Sequence, residues 1–132
     1  MNTPNFHDGH FDGLWLEPSN VVFLFLRTSD RRPYTISLQG VHGMTLSDVK
    51  AGNIIFDLVF RSASELTSSD VAILYDLDEN SEQATKLRNS KRETKLQILE
   101  LNATYGAQSL FLFENFQIIE KVDRMVASLP SA

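Results

Sequence analysis

Apolar and polar residues alternate through both ends of the chain, and this period of two predicts short antiparallel strands. Turn residues separate the runs, so we expect strands over 11–17, 21–28, 34–39, 54–61, 95–101 and 109–119, with a short edge segment over 44–49. The run from Val21 to Thr28 is apolar at nearly every position, which predicts a central strand buried on both faces.

Three of these runs allow predictions about individual faces. The run 34–39 is expected to have one buried and one solvated face, because Tyr34 begins a strict alternation. One face of the run 54–61 is expected to be apolar, carrying Ile54, Phe56, Leu58 and Phe60. In the run 109–119 the apolar positions change parity, which predicts a β-bulge near Glu114-Asn115 or burial on both faces.

The middle third loses this alternation and predicts helices. Thr67 is a suitable N-cap residue, with Asp70 at the third helical position to complete a capping box. Leu66 and Val71 are spaced to form a hydrophobic staple across the same turn. A helix is therefore expected to begin at this point.

A second helix is expected over 78–92, with acidic residues at its start and basic residues at its end, as the helix dipole favours. Near the C-terminus the apolar residues fall at helical spacing (Val122, Met125, Val126 and Leu129), which predicts a short helix or tail over 121–132. The sequence thus predicts one α+β domain over 1–132, mainly β. We expect an antiparallel β-sandwich or curled sheet with a two-helix insertion around 67–92.

Composition narrows the class of protein. A chain of 132 residues is about one domain's worth, and its nine Phe are expected in the sheet interior. The absence of cysteine excludes disulfides, thiol nucleophiles and cysteine-based metal sites, and it favours the reducing cytoplasm. The first five residues have no basic or apolar leader character, and the longest apolar run, Val21 to Leu26, is too short to span a bilayer. We therefore expect neither a signal peptide nor a membrane span.

The net charge of the chain indicates which class of partner it could bind. The net charge of −5 argues against nucleic acid and fits a basic protein partner. The bases between Lys86 and Lys95 have no aromatic residues among them, so they predict a solvated helix face rather than a nucleic-acid site.

The segment with the most candidate chemistry lies near the N-terminus and contains His7, Asp8, His10 and Asp12. These residue types can ligate metals or perform acid–base chemistry, but two histidines from one segment do not complete a site. The alternative is that Asp8-Gly9 and Asp12-Gly13 are turn dipeptides. We take the four residues as binding candidates and assign no metal ligand, cofactor or catalytic residue.

Two further turns carry candidate residues. Tyr105, at the expected tip of the last hairpin, is a second binding candidate because exposed Tyr is favoured at interfaces. Gly52-Asn53 predicts a tight turn ahead of a buried strand. Nucleophile-elbow and phosphate-binding motifs are missing from the sequence, which favours a protein that is not an enzyme.

Taken together, the His7-Asp8-Gly9 start, the Gly52-Asn53-Ile54-Ile55 centre and the late Tyr105-Gly106 resemble a group of small bacterial proteins without assigned activity. Such proteins are in turn weakly similar to β-rich immunity proteins of bacterial toxin systems. The resemblance implies a bacterial source, a β-sandwich-like fold and a protein partner, and it brings no catalytic residues.

Two functional hypotheses follow. The first is a non-enzymatic protein-interaction module of the immunity or accessory type. The second is a small metal-binding protein or enzyme that uses the His7, Asp8, His10 and Asp12 cluster. Because exposed strand edges need cover, a symmetric homodimer is a separate expectation.

Overall fold

Eight antiparallel strands form one sheet in the computed structural model, which describes residues 3–120. The strands are β1 (His10–Glu17), β2 (Val21–Arg27), β3 (Pro33–Gln39), β4 (Gly43–Ser47), β5 (Asn53–Ser62), β6 (Gln97–Tyr105), β7 (Gln108–Phe113) and β8 (Asn115–Glu120). A 3-10 turn (Ala63–Glu65) and two helices, α1 (Ser68–Tyr75) and α2 (Glu82–Arg92), lie between β5 and β6. The predicted class, a mainly β fold with a helical insertion, is confirmed. The C-terminal helix predicted over 121–132 lies outside the described residues.

The strand order shows that the sheet is strongly curled. The order is β4-β7-β6-β5-β1-β2-β3-β8, so β7 and β8 lie near opposite ends of the sheet. Only Glu114 separates them in the chain, and its N–H donates to the carbonyl of Gln39 at 3.0 Å. The two ends of the sheet must therefore approach each other, although no pairing of β4 with β8 closes it.

The bend at Glu114 explains the parity change in the sequence. Phe111 and Phe113 point into the curled sheet before the bend, and Phe116 and Ile118 do so after it. The other face of β7 is buried as well, under the helices. Burial on both faces is therefore confirmed for β7. The single strand with a β-bulge predicted over 109–119 is wrong, because the chain breaks at Glu114 into two strands that pair in different parts of the sheet.

The larger of two cores fills the inside of the curl. Its fully buried side chains include Leu24, Leu26, Ile36, Leu38, Ile55, Leu99, Leu101, Phe111 and Phe113. The Phe116 ring stacks on Phe60 with centroids 4.5 Å apart and meets Phe113 edge to face at 6.0 Å. Aromatic contacts thus join β5, β7 and β8 across the interior.

The second core lies on the outer face of β6 and β7, under the helices. It contains Ala63, Leu66, Val71, Leu74, Ala84, Leu96, Ile98, Leu110 and Leu112. The predicted capping box of α1 is present, with the Thr67 hydroxyl and the Asp70 carboxylate accepting from each other's backbone N–H groups at 3.0 and 2.9 Å. The second helix begins at Glu82 rather than at residue 78, because Ser81 is its N-cap.

A charged cluster joins the helical insertion to the sheet. The Arg61 guanidinium on β5 donates to both carboxylate oxygens of Asp70 at 3.1 and 3.2 Å, and it also bonds Glu100 on β6. Burial by itself would raise the pKa of Asp70, but hydrogen bonds from Arg61 and Thr67 outweigh burial and hold that pKa below its ordinary value. Asp70 therefore stays ionised while capping α1 and pairing with Arg61.

Four sequence predictions about faces are corrected by the structure. β2 is buried on one face only, because neither of the two helices described within residues 3–120 lies on its other side. A register irregularity in β5 turns Phe56 outward, 52% exposed, and Ile55 inward. Thr35 and Ser37 lie on the face of β3 that was predicted to be solvated, but they are buried because larger side chains flank them on the neighbouring strands. Finally, three of the nine Phe (Phe23, Phe25 and Phe56) lie outside the two cores.

Replacing Asp70 with Asn should lower the free energy of unfolding at neutral pH by about 1–3 kcal/mol, since Arg61 would lose one of its two carboxylate partners and keep only Glu100. The pKa of Asp70 is depressed on folding, so its contribution is complete above the ordinary carboxyl pKa and is lost as pH falls through and below it. Urea titrations across this acidic range should show a steeper loss of stability for the wild type than for Asp70→Asn.

Glu82→Gln is the matched control, because the Glu82–Lys86 pair is largely exposed (82% and 75%) and should contribute little. An equal acid-dependent loss in wild type and Asp70→Asn would show that the Arg61–Asp70 pair does not stabilise the fold.

Candidate interaction surface

Within residues 3–120, the two helices cover only one half of the outer face of the sheet. They lie over β6 and β7 and contact β4, on the opposite side of the strand order from β2, β3 and β8. On the other half, large apolar side chains stand on the outward face of β1, β2 and β8. We call this set the aromatic patch, and it consists of Trp15, Val21, Phe23, Phe25 and Ile119.

Strand register makes the patch continuous. Trp15 on β1 is paired with Phe23 on β2, which is paired with Ser37 on β3. In the next row Thr35 lies between Phe25 and Ile119. Cross-strand partners have their Cβ atoms about 5 Å apart, so these side chains lie next to one another on the same face of the sheet.

Exposure separates the patch from both cores. Trp15 is 60% exposed and Ile119 41%, whereas Val21 and Phe23 are half-buried. The small residues Thr35 and Ser37 between them are 7% and 6% exposed. The indole N–H of Trp15 donates to the Glu17 carboxylate at 2.8 Å, so its polar atom is satisfied while its ring stays open to solvent.

Charged pairs border the patch. The Arg27 guanidinium donates two hydrogen bonds of 2.8 Å and one of 3.1 Å to the Asp12 carboxylate. The Arg32 guanidinium forms an ion pair with the Glu120 carboxylate, with nitrogen and oxygen 2.6 Å apart. The hydrogen bonds that Arg27 donates to the Asp12 carboxylate raise the pKa of Arg27. An apolar centre with a polar rim is the usual anatomy of a protein-binding surface.

The structure places His7 and Asp8 in a turn before β1. The His7 ring nitrogen Nδ1 lies 2.7 Å from the Phe56 carbonyl oxygen, and the two rings meet edge to face at 5.5 Å. Asp8 has φ of 61°, its N–H donates to the Ile55 carbonyl at 2.9 Å, and the Gly9 N–H donates to Phe6 at 2.8 Å. The turn predicted for Asp8-Gly9 is therefore present, but the residue with positive φ is Asp8 and not the glycine. The second predicted turn, Asp12-Gly13, is wrong, because these residues lie within β1.

His10 and Asp12 lie on β1 itself, beyond that turn. His10 is paired with Arg27 and Ile54, and Asp12 occupies the irregularity between Phe11 and Gly13. Both border a small cavity of about 150 Å³, and the buried Nδ1 of His10 has no hydrogen-bond partner among residues 3–120. Within that range, no three His, Asp or Glu side chains gather in an arrangement that could hold a metal ion.

Tyr105 ends β6, is 54% exposed and lies opposite Ile54, outside the aromatic patch. The turn that follows it meets Asn53, whose amide oxygen accepts from Lys50 and Ala107 at 2.8 and 2.9 Å. A Cβ on Gly106, where φ is 90°, would approach that oxygen to 2.3 Å. The Gly52-Asn53 and Tyr105-Gly106 motifs thus meet in space and hold two turns together.

The aromatic patch itself was missed by sequence reasoning. The residues of β2 were all assigned to a buried strand, so the outward Phe23 and Phe25 were not distinguished from Leu24 and Leu26. The sequence did contain a signal for this exposed surface, because Trp15 and Phe23 both lie in runs with a period of two, on strands that follow each other in the chain. Recognising it required the knowledge that helices cover only the other half of the sheet.

Comparison with known proteins identifies no relative: no family model, curated protein or solved structure matches the chain significantly. The resemblance to immunity proteins therefore remains a hypothesis. Among residues 3–120, no helix has the length and apolar character needed to cross a membrane.

Asn53→Ala should destabilise the protein by about 2–4 kcal/mol, because two backbone N–H groups would lose their acceptor and the carbonyls of Lys50 and Phe11 their donor. Thermal and urea unfolding would measure the loss. The control is Asn80→Ala, at an exposed position, which should unfold like the wild type. Equal stability of the two variants would contradict this role for Asn53.

Proposed function

We propose that the protein is a non-enzymatic interaction module that binds a basic protein through the aromatic patch. The observation that carries the proposal is the exposure of Trp15 and Ile119 beside Phe23, on the half of the sheet that the helices leave open. Tryptophan and other aromatic residues contribute disproportionately to the binding energy of protein interfaces.

The shape of the patch favours a macromolecule over a small ligand. The patch lies on the outer face of a curled sheet, which cannot enclose a small molecule as a concave pocket does. The cavity near His10 and Asp12 has only about 150 Å³. A partner protein could instead bury the ring of Trp15 and the side chain of Phe23 together.

Charge favours a basic partner. The chain carries 17 acidic and 12 basic residues, and Glu17 lies beside Trp15 on the patch. The arginines at the rim are already paired with Asp12 and Glu120. Long-range attraction to a basic surface would increase the association rate and weaken with salt.

This proposal fits the resemblance to immunity proteins, which implies a protein partner from a bacterial toxin system. In that case the partner is a toxin domain with a basic surface, and the module acts by covering it. An accessory protein of a larger complex would use the same surface.

The test is affinity capture from the bacterial host with three baits: the wild type, Trp15→Ser/Phe23→Ser, and the control Phe56→Ser. Phe56 is an exposed aromatic residue outside the patch, so its loss removes exposed aromatic surface elsewhere. We expect one basic protein to be retained by the wild type and the control and lost with the double variant. Binding of that purified protein should weaken as salt is added.

Circular dichroism would first show that all three baits are folded. A partner held equally by all three baits, an acidic partner, or no patch-dependent partner would overturn the proposal. Light scattering of the wild type would show whether a second copy of the chain occupies the patch instead, which would also contradict a separate basic partner.

A further inference from the structure

We infer that the cavity beside His10 and Asp12 binds a small oxyanion, namely the phosphoryl or carboxyl group of a metabolite. Its side-chain hydrogen-bond acceptors are already occupied, whereas several of its donors are open. The inference does not rest on the proposed function, because anion binding can be measured on the protein alone.

Two segments of the chain form the walls of the cavity. One is the start of β1 with Arg27 beside it on β2, and the other is the loop 49–53 that leads into β5. β1 pairs with β5 only through His10 and Phe11. Beyond these two residues the loop and β1 are no longer paired, and a space of about 150 Å³ lies between them.

The Asn53 side chain fixes the loop against β1. Its amide oxygen accepts from the Lys50 N–H at 2.8 Å, and its amide nitrogen donates to the Lys50 carbonyl at 2.9 Å. The same nitrogen donates to the Phe11 carbonyl at 3.4 Å. The backbone of Lys50 is therefore held beside the cavity, and only its ammonium group lies at the end of a flexible side chain.

Donors from both walls are open at the cavity. Lys50 is exposed and forms no ion pair with any described residue. Arg27 uses Nε and Nη2 to hold Asp12, which leaves Nη1 without a partner in the described chain. The N–H groups of Ala51 and Gly52 likewise donate to nothing within residues 3–120.

His10 adds a further donor. Its Nδ1 is buried without a hydrogen-bond partner, and its Nε2 is open and bonds no residue of the range 3–120. We place the ring proton on Nε2, because a buried N–H without an acceptor is rarer in proteins than an unpaired acceptor. Since His10 borders the cavity, this N–H can donate to an anion bound there.

The side-chain acceptors of the cavity favour an anion over a cation. The Asp12 carboxylate accepts three hydrogen bonds from Arg27, and the Asn53 amide oxygen accepts from Lys50 and Ala107. A cation would have to compete with Arg27 for Asp12. An oxyanion can use the open donors without breaking a hydrogen bond, and hydrogen bonds from charged donors to oxyanions are the strong ones.

The volume of the cavity limits the ligand to a small group. Pockets for drug-sized ligands have about 300–1,000 Å³, and this cavity has about 150 Å³. One water molecule takes about 30 Å³ in the liquid, so the space holds an anion the size of phosphate. A larger metabolite could place only its anionic group there.

Titration by nuclear magnetic resonance tests the site. The probes are sodium phosphate and sodium malonate, each compared with sodium chloride at the same ionic strength and pH. We expect saturable shifts of the amide signals of residues 50–52 and of the His10 Nε2 signal. Saturation by phosphate would identify a phosphoryl site and saturation by malonate a carboxyl site, whereas chloride should cause no saturable shift.

Lys50→Gln removes one charged donor at an exposed position, so it should leave the fold intact. We expect its affinity for the bound probe to fall about tenfold, as for the loss of one charge-assisted hydrogen bond. Lys50→Arg keeps the charge and should recover most of that affinity. The matched control is Lys95→Gln, which changes the net charge equally at an exposed position outside the cavity and should bind like the wild type.

The absence of saturable shifts with both phosphate and malonate would overturn the inference. Equal weakening in Lys50→Gln and Lys95→Gln would also overturn it, because general attraction to the protein would then account for the binding. Neither outcome involves a protein partner or the aromatic patch, so the inference and the proposed function can fail separately.

Discussion

The bend at Glu114 is the constraint on which the rest of the fold depends. One continuous stretch of chain supplies β7 near one end of the sheet and β8 at the other, so the sheet must curl around an interior. Phe113 and Phe116, on either side of the bend, both point inward and contact each other. The left-handed backbone of Gly40 leaves room for the Glu114 side chain, which a Cβ there would approach to 2.4 Å.

Because the sheet is curled, the side chains on its inner face bury one another. The side chains on its outer face are buried only where another element packs on them. The helical insertion covers half of that outer face and is anchored by the Arg61–Asp70 pair as well as by apolar contacts. The other half carries Trp15 and Ile119 in the open. The proposed partner follows from this unequal protection, because exposed aromatic surface is unfavourable in water.

Several residues that the sequence marked as binding candidates or turn motifs have structural roles in the fold. His7 and Asp8 lie in a turn, Asp12 pairs with Arg27, and Asn53 joins two turns through its amide. Polar side chains at such turns satisfy backbone groups, which is why short motifs made of Asp, Asn and Gly mark chain reversals as readily as binding sites.

Local chemistry allowed much of the fold to be predicted from sequence. Period-two alternation indicated the strands, Thr67 and Asp70 indicated the start of α1, and the parity change marked the bend at Glu114, because each signal depends on neighbouring residues alone. The exposed face of β2 and the outward turn of Phe56 depend on which element packs on which face of the sheet. That choice is made by contacts between distant segments, so only the tertiary structure could separate the aromatic patch around Trp15 from the core.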